Sequence, residues 1–286
     1  MRYRFMRFPE GKPKAVTLSY DDGPHFDLPM LDILDKYGIK CTFNLNSVRM
    51  TEGRPDTVTI EDVKTRMLAK GHEIAVHGAR HRAPGNIRPI DCIRDVLDCR
   101  IWMEQTFDMI IRGMAYPDSG ITHIERGTDY ETIRTCLKDL DIAYSRTLAG
   151  DNNTFTLPND WYAWLPTAHH DNPKAIEYAE EFVAIDYTNR YGASRWPRLF
   201  YLWGHSYEFD RNNNWDRMET LCRILSGKDD IWYATNIEIC DYAAAYESLQ
   251  YSADGTKVYN PTLYTVWFDA DGVLYSIKPG ETITVG

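Results

Sequence analysis

The chain has 286 residues, 43% hydrophobic and 26% charged, enough for one large domain or two ordinary ones around a substantial core. A formal net charge of −10 leaves no surplus of Lys and Arg for neutralising phosphates, which excludes nucleic acid as the main partner. No segment is apolar for long enough to span a membrane, and the opening MRYRFMRFPEGKPK has neither a secretory apolar run nor a small-residue cleavage site. The expected location is therefore cytoplasmic, although a chain that begins after a removed leader would read the same.

In chain order, AVTLSY (from Ala15) reads as a strand, LPMLDILDKYG as a helix stopped by Gly38, and CTFNLN as a second strand. TIEDVKTRMLAKG reads as one helix with Thr59 as N-cap, acids in its first turn and Gly71 past its end, and HEIAVH follows as a third strand. IDCIRDVLDCRIWMEQTF is a longer amphipathic helix and IRGMAYP a strand ended by Pro117. Further helix–strand units are YETIRTCLKDL with IAYSRTL, PKAIEYAEEFVAI with RLFYLWGH, and NWDRMETLCRILSG with IWYATN. Strands that alternate with helices favour a parallel sheet wrapped by helices. Six or seven such units suggest an α/β fold of the distorted, incomplete (β/α) barrel type.

After NIEICDYAAAYESLQY the pattern turns to short alternating runs around Asn-Pro, Asp-Ala-Asp-Gly and Lys-Pro-Gly-Glu turn signals. This predicts a small antiparallel β appendix over 252–286, behind a barrel over 1–251. The six cysteines, Cys41, Cys92, Cys99, Cys136, Cys222 and Cys240, form no Cys-x-x-Cys pair and are expected to be buried free thiols.

The polar clusters fall where strands end. Asp21 and Asp22 follow AVTLSY, His77 follows EIAV, the run from Tyr116 follows GMA, and His205 follows LFYLWG. In a parallel barrel the carboxyl ends of all strands open on one face, so these sequence-distant residues are expected to converge. HGARH places His77 and His81 at i and i+4, able to face one ion if the segment turns helically. A spacing of that kind is more often structural. Asp22 would add a carboxylate, and two imidazoles plus a carboxylate with an open position is a recurring arrangement for catalytic divalent metals. Asp21 would remain free to act on water.

TLSYDDGP, HGARH, AYPDSG and LWGH, in this order, resemble the motif series of the polysaccharide deacetylase family, the chitin and peptidoglycan deacetylase-like carbohydrate esterases. The resemblance implies a distorted (β/α) barrel and removal of an acetyl group from an N- or O-acetylated sugar by metal-bound water. Asp21 would be the general base, Asp22, His77 and His81 the metal ligands, and His205 the general acid. The ion would be divalent, zinc first, with cobalt, nickel or manganese accepted by the same ligands. Asp118 would supply a backbone N–H to the oxyanion. Asp160-Trp161 would match the Asp-Trp that walls the pocket and orients the acid histidine. His25, Tyr116 and His169 complete the expected substrate contacts, with His170 beside them.

The sequence departs from the family at the third motif. An arginine that holds the catalytic aspartate is expected where Ala115 stands, and Arg112, slightly earlier, is the alternative candidate. Two rival readings follow: a cytoplasmic hydrolase of a non-peptide C–N bond in a small metabolite, and a non-catalytic carbohydrate-binding protein on the same barrel.

Overall fold

The computed structural model describes residues 3–125, 127–187 and 195–286. Strand β1 (Arg4–Arg7) precedes β2 (Lys14–Asp21), which is buried at every position, as a parallel strand covered on both faces must be. Helix α1 (Asp27–Tyr37) ends at Gly38, whose φ of 65° is a conformation glycine adopts without steric cost. Strand β3 (Cys41–Leu45) and the short α2 (Ser47–Thr51) follow.

The segment expected as one helix from Thr59 is divided. The α-helical turn α3 (Ile60–Asp62) passes into a wide π-type turn over Val63–Met67 and a tight 3₁₀ turn over Leu68–Lys70. Thr59 caps it as expected, in a reciprocal pair with Asp62, and Gly71 closes it at φ 79°. The wide turn places Val63 and Met67 together in the core.

Next come β4 (Glu73–Val76), α4 (Pro89–Phe107) with proline at its first position, β5 (Gly113–Ala115), α5 (Tyr130–Asp139) and β6 (Tyr144–Arg146). The barrel part is completed by β7 (Ala168–His169), α6 (Ala175–Val183), β8 (Arg198–Gly204), α7 (Tyr207–Arg211), α8 (Trp215–Leu225), β9 (Ile231–Tyr233) and α9 (Asn236–Glu247).

The main sheet is parallel, in the order β6-β5-β4-β3-β2-β8-β7. β9 pairs with Lys14–Val16 at the start of β2, on ground that β3 leaves free because its own pairing begins at Leu18. The sheet curls until one segment reaches both edges: Trp164 bridges to Arg146 of β6, and Ala168 and His169 pair with Leu202 and Trp203 of β8. The result is the expected distorted barrel, with one side only partly hydrogen-bonded. Five of the six cysteines are buried, Cys136 is half-buried, and all are free.

The β appendix is antiparallel, as the alternation predicts. β10 (Gln250–Tyr251), β11 (Lys257–Tyr259) and β14 (Thr282–Thr284) form one small sheet; β12 (Val266–Ala270) and β13 (Val273–Ile277) form another. Sequence patterning did not reveal that β1 joins the second sheet, pairing Arg4 with Ala270 and Arg7 with Trp267. Tyr242 of α9 ties the pair to the barrel, donating to Arg7 O at 2.8 Å and accepting from Trp267 N at 2.9 Å.

Candidate metal centre and active site

Asp22 leaves the end of β2 with φ 75°, a left-handed conformation that aspartate tolerates better than most residues. Its Oδ1 stands 3.9 Å from His77 Nε2 and 3.4 Å from His81 Nε2. The two imidazoles do not meet through a helical turn, as their spacing suggested. Gly78 at φ 71° and His81 at φ 57° bend the loop instead. A Cβ at position 78 would come within 2.3 Å of Asp95 Oδ2, so the bend requires glycine. Asp95 also fixes the loop, accepting from Arg80 N at 2.8 Å and, through its own carbonyl, from Ala79 N at 2.9 Å.

These three residues fit a divalent ion. Asp22 Oδ1 and His77 Nε2 are buried and have no hydrogen-bond partner; the Arg49 guanidinium, 3.6 Å from Asp22 Oδ1, offsets part of that carboxylate's cost, while His77 Nε2 is left without a donor or acceptor. His77 Nδ1 lies 2.9 Å from Ala115 O, which places its proton on Nδ1 and leaves Nε2 with a free lone pair. Burial draws the His77 imidazole below its ordinary range against the pull of Asp21 and Asp22, which favours the neutral form a metal needs.

Asp21 is 2% exposed, beside this centre, and its carboxylate is held from two sides. Asn44 Nδ2 donates to Oδ1 at 2.8 Å, and Arg146 from β6 donates to Oδ2. Burial pushes the carboxyl up, but Arg146, then His77 and His205, with the Asn44 bond, hold it below the usual range. Arg146 thus occupies the role for which the third motif lacks an arginine. Arg112 does not: it pairs with Asp241 at 2.5 Å. Arg146, 1% exposed, also lies 4.4 Å from the Trp203 ring centre. Its signal in the sequence was an arginine in the strand-like run IAYSRTL.

His205 follows β8, with Nε2 4.0 Å from Asp21 Oδ2 and Nδ1 3.4 Å from Glu208 Oε2. Burial lowers its basicity, but the adjacent Glu208 carboxylate and the charge of Asp21 raise it further, so its net shift is upward. Glu208 was not anticipated. Burial acts to raise it, yet the imidazoles of His169 and His205 beside it hold it well below the ordinary carboxylate range. His169 Nε2 stands 3.1 Å from Glu208, and His170 is wholly buried behind it.

The remaining expected contacts divide. His169 comes to the site, its ring centre 4.6 Å from that of Trp203 and 6.4 Å from that of His205. His25 is exposed on the loop after β2, against Phe26. Asp118 is exposed after β5 with φ 53°, and its N–H donates to no protein acceptor among the described residues. Tyr116 is turned inward, 1% exposed, donating to Tyr162 O at 2.8 Å. Asp160 and Trp161 are not brought to His205. Asp160 accepts from Tyr130 OH at 2.6 Å and from Tyr162 N at 2.9 Å. Trp161 packs on Trp164 and lines a cavity of about 550 Å³ with Phe5, Trp196 and Tyr246.

Residues 9–128 match the family described as polysaccharide deacetylase, the family that the motifs resemble. The match takes in Asp21, Asp22, His77, His81 and Asp118 and ends before His205. Among solved structures, a candidate polysaccharide deacetylase from Mycobacterium smegmatis is similar over 86% of this chain and 96% of its own, at 17% identity and TM-score 0.60. A mutant CE4-family pseudoenzyme from Bacillus anthracis with restored enzymatic activity covers 83% and 70%, at 14% and 0.51. A family 4 acetyl xylan esterase from Clostridium thermocellum, in complex with a cobalt ion, covers 80% and 92%, at 17% and 0.50. At these identities the likeness is one of fold. No described helix is long and apolar enough to cross a membrane.

Proposed function

We propose that this protein is a metal-dependent hydrolase that removes an acetyl group from an N- or O-acetylated sugar or oligosaccharide. Asp22, His77 and His81 would hold the ion, zinc by preference. The observation that carries the reading is the convergence of two buried ligand atoms without hydrogen-bond partners, Asp22 Oδ1 and His77 Nε2, beside a charge-paired Asp21 and a carboxylate-backed His205. Such an ion, when bound, supplies Lewis acidity that acidifies water and polarises an acyl carbonyl.

The chain's own residues supply the rest. Asp21, kept ionised by Arg146 and oriented by Asn44, accepts the proton of the attacking water. The Asp118 N–H donates to the developing oxyanion. His205, kept protonated by Glu208, delivers a proton to the departing amine or alcohol, whose expulsion would otherwise be slow. Glu208 takes the orienting part that Asp160 was expected to play, and Trp203 supplies an aromatic wall beside His205 at a ring separation of 6.0 Å. Residues 1–251 carry this chemistry, and 252–286 form the appendix, to which β1 and β10 add their pairing.

Arg146 weakens the case for a non-catalytic sugar binder, because the missing third-motif arginine was that reading's main support. The test is to strip the protein with a chelator, restore zinc, and assay acetate and ammonia in parallel on acetylated oligosaccharides and small amides. Acetate release that depends on zinc is expected. Ammonia without acetate would replace this reading with hydrolysis of a small C–N substrate, and sugar binding without turnover at saturating zinc would replace it with a binder.

A further inference from the structure

We propose a second divalent-cation site, separate from the Asp22–His77–His81 centre, formed by His169, His170, Asp171 and Glu208. One ligand atom from each lies within 4.8 Å of all the others. His169 Nε2 and His170 Nε2 stand 3.1 and 3.4 Å from Glu208 Oε2, and His170 Nε2 stands 3.5 Å from Asp171 Oδ1. A tetrahedral ion with bonds of about 2.0–2.2 Å separates its ligands by about 3.3–3.6 Å, close to this spacing. For hydrogen bonds the two His170 distances are long, and neither meets hydrogen-bond geometry.

His170 points to the ligand independently. It is 0% exposed, and neither ring nitrogen has a partner. Its ring packs in the core against Tyr20, at 5.7 Å and 6° between planes, and Phe209, at 4.1 Å and 24°. The surrounding residues position the set. Asn212 and Asn214 donate to Asp171 at 2.8 and 3.3 Å, and Arg217 Nε holds the His170 carbonyl at 2.6 Å. Two imidazoles with two carboxylates select a borderline transition ion, zinc or cobalt, over calcium or magnesium.

One contact opposes the ion. Asp171 N–H lies 3.1 Å from His169 Nδ1, and ligation through Nε2 requires the proton on Nδ1 and the loss of that bond. The site therefore binds more weakly than the first. Because Glu208 Oε2 also faces His205 Nδ1 at 3.4 Å, an ion here competes with His205 for its carboxylate.

The experiment is equilibrium dialysis of chelator-stripped full-length chain against excess cobalt, with bound metal counted by elemental analysis. Two ions per chain are expected for the wild type, one for His81→Ala, one for Asp171→Asn, and none for His81→Ala combined with Asp171→Asn. His170→Ala should match Asp171→Asn; the latter keeps side-chain volume and guards against a folding defect, checked by thermal unfolding. A wild type that binds one ion, lost in His81→Ala and kept in Asp171→Asn, would overturn the proposal. One ion lost in Asp171→Asn and kept in His81→Ala would instead uphold this site and remove the Asp22 centre. Neither outcome depends on acetate release.

Discussion

The two ends of β4 treat buried polar groups in opposite ways. At its start Glu73 is 7% exposed and fully engaged, accepting from Tyr144 OH at 2.7 Å, Thr42 Oγ1 at 2.8 Å and Ile237 N at 2.9 Å. Just past its end His77 is 1% exposed, and its Nε2 has no partner. Burial is nearly the same, but satisfaction is not. A buried polar group with its partners in place holds strands and helices in register; one left without them marks where something else is to bind. The contrast separates architecture from chemistry within a single five-residue span.

Four substitutions test that separation, taken from the largest expected effect. Asp21→Asn keeps the Asn44 contact but removes the proposed base, and should lower kcat by about two to four orders of magnitude with bound-metal content unchanged; persistent turnover would assign the base elsewhere. Arg146→Met leaves Asp21 buried and unpaired, a loss of about 3–5 kcal/mol by denaturant melts near neutral pH. Because Arg146 helps hold Asp21 below its ordinary range, that contribution is present above the unfolded carboxylate pKa and fades as pH falls. The stability loss should therefore shrink in acid, and the acid limb of the rate profile should move to higher pH.

Glu73→Gln tests the architectural end. Burial, opposed by its three hydrogen bonds, raises Glu73 to about 7. A raised carboxyl contributes stability fully below the unfolded pKa near 4.5 and loses it as pH rises through about 7, a change of about 3 kcal/mol. The variant should flatten the stability profile between those values while turnover stays as in the wild type; a matching loss of kcat would erase the contrast. Glu208→Gln has the smallest expected effect, about tenfold in kcat, with the alkaline limb moving to lower pH as His205 loses its carboxylate. Glu208→Asp should restore part of the loss, whereas an unchanged profile would leave Glu208 only a packing role.

The residues legible in the sequence are those at strand ends, because a parallel barrel brings carboxyl termini to one face whatever the loops do. Asp21, Asp22, His77, His81 and His205 all obey that rule. Arg146 and Glu208 were not legible, for different reasons. Arg146 also ends its strand, β6, but Asp21 ends β2, four places away in the sheet, and only the curl of the barrel brings the two together. Glu208 sits on a short helix three residues past His205, where nothing in the local pattern distinguishes it from a solvated acid. β1 was equally hidden, since its partner strand lies more than 250 residues away. Asp160-Trp161 shows the converse: a dipeptide of the right composition that folds into a capped 3₁₀ turn remote from the histidine it was expected to orient.

The bond from His77 Nδ1 to Ala115 O carries a lesson about the third motif. What that strand gives the imidazole is a peptide oxygen, a group every amino acid possesses. A changed side chain at position 115 therefore leaves that acceptor in place, and an unfamiliar spelling of the motif does not by itself remove support from the ring.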